Sequence, residues 1–381
     1  MLQGSRQNYR FATNAVHAGA DRDATGAIVP PLYFSTNYEH RPDGELLNGF
    51  QYTLIDNPMQ HRLEEALATL ENGGAALAFA SGTAAGVAYL QSLSPGTHVI
   101  FPDDLFYGFR ALSSELLPRW NVDFTVVDMT DLDAVERAMR DNTAVIWVET
   151  PSNPLMKVSD IRALAAKAHA RNARLLVDST FPTPALLRPI ELGADVVLHS
   201  TTKYMGGHSD VQSGALVFAS KNADYDAVIH IRKTFGNVAS PFSSWLVFRG
   251  LRTLELRMKA HSANAMSVAR ALEAHPRVER VFYPGLESHA GHSIAREQMH
   301  DFGGMLSFRV KGGPSSAIGV ASGVKLFINA GSLGGPESLI RHVASTTKSS
   351  NGVPPDLLRV SVGLEHADDL IEDLEQALAS A

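Results

Sequence analysis

Four short stretches of this chain hold side chains able to do chemistry. In "STTKYMGGHSD" (200–210), Lys203 follows Ser200 and Thr202 and precedes Gly206 and Gly207. A lysine is by default a solvated surface cation. One at the end of a strand, beside hydroxyls and with glycines that let backbone approach closely, would lose water, titrate low and attack carbonyls. Asp178 closes the apolar run "RLLVD", where an unpaired carboxylate is costly to bury; it is either a turn or helix cap or a charge kept against a cation. "SGTAAG" (81–86) follows the run "AALAFA" and opens a helical pattern. The N–H groups of Gly82 and Thr83, with the helix dipole behind them, form a receptor for a phosphate; the plain alternative is an N-cap at Ser81. Tyr107 in "DDLFYGFR" offers a ring face beyond a further apolar run, or else belongs to the core.

Taken together, a phosphate cup, a buried carboxylate and a strand-end lysine are the three handles of pyridoxal 5′-phosphate (PLP). The cup takes the phosphate, Asp178 keeps the pyridine ring protonated as an electron sink, and Lys203 forms the Schiff base. Tyr107 could stack on the ring.

Those residues need a scaffold that brings strand ends together. Apolar runs recur at 75–80, 98–102, 124–128, 144–150, 174–180, 195–200 and 214–220, mostly separated by helical stretches such as "DLDAVERAMRD" and "DIRALAAKAHARN". This predicts an α/β fold with a mostly parallel sheet sandwiched by helices, whose carboxyl ends carry the polar clusters. The gap between Lys203 and the last run is too short for a crossover helix, so one strand should be antiparallel. Leu63, Ala66, Leu67 and Leu70 share a helical face, with Gly73 where a C-terminal cap belongs. Residues 1–50 read as an irregular N-terminal arm, 51–240 as a PLP-binding α/β domain, and 241–381 as a smaller α+β domain with strands in "MLSFRV", "VKLFINA" and "LLRVSVG" and an acidic, solvated C-terminal helix. Trp147 is expected in the core.

The chain has 381 residues, a formal charge of −7 and no cysteine. The charge offers no attraction to nucleic acid or an anionic membrane, and without cysteine there are no disulfides or thiolate sites. No stretch reaches the ~18 apolar residues of a membrane helix, and no secretory signal is visible at the start, so the expected location is the cytoplasm. His199 and His208 lack metal-ligand spacing, so no metal is expected.

With these residues in hand, the chain resembles the Cys/Met-metabolism family of PLP enzymes. The resemblance runs nearly end to end, through "VHAG", "NP" (57–58), "ETPSNP" (149–154), "VDST" (177–180), "HSTTKYMGGHSD" (199–210), "FRGLRTLELRM" (248–258), "YPGL" (283–286), "SLGGPESLI" (332–340) and "LLRVSVGLE" (357–365). It implies fold type I. It also implies Lys203 as Schiff-base lysine and proton shuttle, Asp178 as partner of the ring nitrogen, and Gly82, Thr83, Ser200 and Thr202 around the phosphate. Tyr107 would stack and move protons, Asn153 would touch the ring hydroxyl and the substrate, and Arg359 with Ser332 would clamp the substrate carboxylate. Tyr52 would serve a neighbouring subunit's site in a homotetramer of two close dimers. The implied activity is PLP-dependent C–S chemistry on small amino acids. Cystathionine γ-synthase comes first, with cystathionine γ- or β-lyase or methionine γ-lyase as alternatives; Phe109 stands where the last has a cysteine.

Three departures stand out. The family's Tyr-Ser-Arg becomes "YTL", so Leu54 replaces a phosphate-binding arginine; the segment after Tyr107 is two residues shorter; and the loop over 346–356 is shortened. Leu54 also motivates a reading of another class, a catalytically weakened PLP-binding regulatory protein.

Overall fold

The computed structural model describes residues 9–20, 23–346 and 352–381; residues 347–351 of the shortened loop over 346–356 lie outside them. Seven strands, β1 (Ala75–Phe79), β2 (His98–Pro102), β3 (Asp123–Val127), β4 (Thr143–Glu149), β5 (Arg174–Asp178), β6 (Val196–His199) and β7 (Gly214–Phe218), form one sheet in the order β1-β7-β6-β5-β4-β2-β3. Only β7 runs against the rest, antiparallel to both β1 and β6. That is the expected antiparallel strand.

Both faces of this sheet are buried, which is why its strands read as unbroken apolar runs. Alternate residues feed separate cores. Ala78, Ile146, Val148, Val177 and Val197 pack with Leu63 and Leu67 on one side, whereas Leu77, Phe101, Trp147, Leu176 and Leu198 pack on the other. Trp147 is fully buried, as expected. The helix Pro58–Leu70 presents Leu63, Ala66, Leu67 and Leu70 to the core and is N-capped by Asn57, whose Oδ1 accepts from Gln60 N at 2.9 Å. Its other end differs from expectation. The left-handed residue is Asn72 (φ 57°), while Gly73 N–H returns to Ala68 O at 2.8 Å. Gly73 is needed for space instead, since a Cβ there would lie 3.0 Å from Phe218 O.

The second sheet comprises β8 (Val278–Phe282), β9 (Met305–Val310), β10 (Ile328–Asn329), β11 (Leu339–His342) and β12 (Leu357–Ser361), in the order β10-β11-β12-β9-β8. All its pairings are antiparallel except β10 with β11. Leu306, Phe308 and Val360 pack against Leu370 and Leu374 of the C-terminal helix Ala367–Ser380. That helix is not solvated along all its acidic residues. Asp373 is buried and accepts the backbone N–H groups of Lys325, Leu326 and Phe327 at 2.7, 2.8 and 3.2 Å.

The two sheets pack into separate cores. Val247, Phe248 and Leu251 nonetheless pack into the core of the first sheet. The arm is not wholly irregular: Phe11–His17 is helical, and Asn37 bridges to Tyr52. Among the described residues no helix is long and apolar enough to cross a membrane.

Candidate active site

The carboxyl ends of β4, β5 and β6 converge. Asp178, the last residue of β5, is buried, and its Oδ1 accepts from Thr180 N at 3.0 Å and Thr180 Oγ1 at 2.6 Å. The same hydroxyl accepts from Ser200 N at 2.8 Å. A relay of two hydrogen bonds therefore ties the turn bearing Lys203 to the carboxylate on the adjacent strand. Burial raises the Asp178 pKa, and the bonds from Thr180 work against it.

Glu149 ends β4 directly beside Asp178 in the parallel ladder. It too is buried, and its Oε2 accepts from Phe106 N at 3.2 Å, one residue before Tyr107. Burial, then the charges of Asp178 and Asp104, push Glu149 well above the usual carboxylate range. Two adjacent carboxyls in low dielectric cannot both ionise. Burial raises both carboxyls, and Asp178, with a hydroxyl donor that Glu149 lacks beside its amide donor, is the better placed of the two to carry charge. Asp178 Oδ2 accepts no hydrogen bond among the described residues.

Lys203 Nζ donates to Ser332 Oγ at 2.6 Å. Burial, then the Arg359 charge, pushes this amine down to about 8. Ser332 is held at φ 70°, a left-handed conformation uncommon for a residue with a side chain. Its carbonyl accepts from Arg359 Nη2 at 2.8 Å, and Arg359 Nη1 donates to Asn153 Oδ1 at 3.2 Å. Arg359 is buried, and desolvation followed by the Arg341 charge lowers it to about 10. Lys203, Ser332, Arg359 and Asn153 thus form one connected chain across the two sheets. Behind Lys203, Arg257 donates to Tyr204 O at 2.6 Å and Gly250 O at 2.7 Å. A Cβ on Gly207 (φ +75°) would strike that guanidinium at 2.1 Å, so glycine is required there.

The cup is built at the start of the helix Gly82–Gln91. Ser81 is its N-cap, with Oγ accepting from Ala84 N at 3.0 Å, as the plain reading of "SGTAAG" expects. Among the described residues no acceptor takes the N–H groups of Gly82 or Thr83. Ser200 closes one side; a Cβ on Gly82 would come within 2.8 Å of Ser200 Cβ. Thr202 Oγ1 is engaged, donating to Ser213 O at 2.9 Å and accepting from Ser213 N at 3.0 Å. Tyr107 begins the helix Tyr107–Glu115 with its ring 69% exposed and 4.5 Å from that of Phe106. Tyr52 bridges to Asn37 of the arm, and Tyr52 and Leu54 are both partly exposed.

These residues fit PLP. Unclaimed amide donors at a helix N-terminus suit a phosphate dianion, a buried carboxylate with an unused oxygen suits a protonated ring nitrogen, and a depressed lysine suits an aldehyde. Reasoning from the sequence missed Thr180, Glu149 and Arg341. Glu149 and Thr180 stood in quoted motifs, but only strand register sets them beside Asp178.

A family model for Cys/Met metabolism PLP-dependent enzymes matches residues 12–379. The chain is 49% identical over 375 residues to cystathionine gamma-synthase of Mycobacterium leprae, covering 97% of this chain and 96% of that one. It is 41% identical over 381 residues to cystathionine gamma-lyase of Dictyostelium discoideum, covering 97% and 98%. The crystal structure of metB from Corynebacterium glutamicum superposes with a TM-score of 0.96 at 41% identity over 99% of each chain.

Proposed function

From the premise that this chain belongs to the Cys/Met metabolism PLP-dependent enzyme family, we propose that it is a cystathionine γ-synthase, replacing the leaving group of an activated homoserine with the thiol of cysteine. It is a PLP enzyme of fold type I. The observation that carries the site assignment is the hydrogen-bonded chain Lys203–Ser332–Arg359–Asn153, with Ser200 of the same turn tied through Thr180 to Asp178. The preference for synthase over lyase rests on the higher identity to the synthase relative.

When bound, PLP supplies an aldehyde that links to amines and a protonated ring that accepts the electron pair released at the substrate Cα. Gly82, Thr83 and Ser200 hold the phosphate, with Thr202 fixing the turn beneath it. Asp178, whose carboxylate form is favoured by the Thr180 donors, would hold the protonated ring nitrogen. Arg359 grips the substrate carboxylate; its fork is already aimed by Ser332 O and Asn153 Oδ1, so little orientational freedom is lost on binding. Asn153 also faces the ring hydroxyl.

Lys203 first holds the cofactor and, once released, is the base that takes the Cα proton. A pKa of about 8 leaves it able to accept and return a proton near neutrality. Ser332 Oγ accepts its hydrogen bond and sets its direction. Tyr107, largely exposed beside Phe106, would stack on the ring and carry a second proton. The arm, with Ile28 and Phe34 exposed at 86% and 74%, reaches a neighbouring copy in a homotetramer of two close dimers, where Tyr52 completes the phosphate site. The enzyme acts on small amino acids in the cytoplasm.

The second reading is a cystathionine lyase, favoured by the 41% identity to the lyase relative. The holoenzyme, given O-succinyl- or O-acetyl-L-homoserine with cysteine, should form cystathionine faster than it releases keto acid from cystathionine. Faster keto-acid release would transfer the assignment to the lyases. No turnover of any substrate at full cofactor occupancy would leave only the regulatory binder motivated by Leu54.

A further inference from the structure

Arg341 on β11 stands directly opposite Arg359 on β12, which stands opposite Ser307 on β9. Residues paired across antiparallel strands project from the same face. This face is turned toward the first sheet: Ser307 Oγ donates to Pro154 O at 2.7 Å, and Arg359 reaches Asn153. Arg341 is half-buried and less enclosed than Arg359. Its charge is felt by Arg359, and it in turn feels the Tyr107 phenol. It therefore lies beside the carboxylate clamp and within electrostatic reach of Tyr107.

The charge balance there is uneven. Lys203 and Arg359 are linked through Ser332, Arg341 is paired beside Arg359, and burial pushes the nearby Glu149 carboxyl well above its usual range. Arg341 Nε donates to Thr346 Oγ1, and among the described residues no carboxylate pairs with it. Two desolvated guanidiniums on neighbouring strands repel each other and are stabilised when anions join them. Arg359 is committed to the α-carboxylate by its two fixed bonds, which leaves Arg341 to meet a different anion.

We propose that Arg341 receives a second carboxylate, carried at the far end of the substrate's side chain, so that the site selects amino acids bearing two carboxylates over those with a neutral side-chain end. This rests on the reading of Arg359 as the α-carboxylate clamp. Two sources have this chemistry: the dicarboxylic acyl group of an activated homoserine, and the distal carboxylate of a thioether such as cystathionine.

The test uses holoenzyme as wild type, Arg341→Gln and Arg341→Lys, with two substrate pairs. O-Succinyl- and O-acetyl-L-homoserine, each with cysteine, probe the acyl source. S-(2-carboxyethyl)- and S-propyl-L-homocysteine, read by keto-acid release, probe the thioether source. Losing a charge-assisted hydrogen bond should lower kcat/KM for the carboxylate-bearing member about ten- to a hundredfold, chiefly through KM. The neutral member should change by no more than about twofold, and lysine should recover part of the loss. A drop in only one pair supports the proposal and identifies the source. Equal losses within both pairs, or no loss in either, overturn it. Equilibrium affinities of the same four compounds are measured alongside. Were neither pair turned over, the synthase and lyase readings would fall, while a carboxylate-dependent affinity gap that closes in Arg341→Gln would still uphold the subsite, and an unchanged gap would overturn it.

Discussion

Lys203 offers a prediction with a worked magnitude. Its amine is pushed down to about 8 by burial and by Arg359, where an exposed lysine titrates near ~10.4. At pH 7 about one Lys203 amine in ten is then neutral, against about one in 2,500 for an exposed lysine, so the nucleophilic population is larger by about 200-fold. The assay is a short pulse of pyridoxal and borohydride on cofactor-free protein, with the Lys203 peptide quantified by mass spectrometry across pH. Labelling should climb about tenfold from about pH 6 to 7, bend near 8 and flatten above about 9, whereas surface lysines climb throughout. Burial is the larger cause, so Arg359→Gln should raise the bend only part of the way. The same shift signs a stability effect. Between the folded and unfolded values the unfolded chain holds a proton the native one has lost, so this group's contribution to stability rises as pH rises from about 8 toward ~10.4. Lys203 labelling that kept pace with surface lysines through pH 10 would refute the reasoning, because it would mean the amine is as well solvated as theirs.

Three further outcomes are expected. Arg232 is 2% exposed, and its Nη1 donates to Glu64 and Ala78 O; Glu64→Ala should cost about 3–5 kcal/mol in thermal unfolding by stranding the guanidinium. The Glu64→Leu/Arg232→Met double variant should recover most of that, and additive losses would contradict the pairing. Burial raises Asp104 to about 6, so the native state holds its proton more tightly than the unfolded chain; the group's stabilising effect is present at low pH and fades as pH rises from about 4 to about 6. Asp104→Asn should flatten that fall in melting temperature, and an identical slope in both proteins would count against it. Leu54→Arg should tighten cofactor binding by about ten- to a hundredfold, measured as retention during dialysis; an unchanged affinity would mean another cation already serves the phosphate.

Much of the scaffold was legible because burial leaves a one-dimensional trace. The seven runs of the first sheet stood out as continuous apolar stretches, and the short reach from Lys203 to Gly214 announced the antiparallel β7. The strands β8 and β11 escaped notice. "VERVF" and "LIRH" interrupt their apolar residues with charged or polar ones, and β8 leaves Glu279 and Arg280 exposed. Asn72 rather than Gly73 took the left-handed position, since asparagine tolerates it and the glycine was required by the neighbouring strand β7.

The chemistry divides in the same way. Lys203, Asp178, Gly82 and Thr83 announced themselves through residue type and position at strand ends, because nucleophilicity, charge and amide donors belong to a residue and its immediate neighbours. Which carboxyl is better placed to carry charge, which hydroxyl relays Ser200 to Asp178, why Ser332 can serve Lys203 and Arg359 at once, and where Arg341 sits depend on strand register and on contacts between residues far apart in the chain. Those were decided only by the tertiary structure, since desolvation and Coulomb energies depend on distance in space, and a sequence orders residues along the chain without fixing those distances.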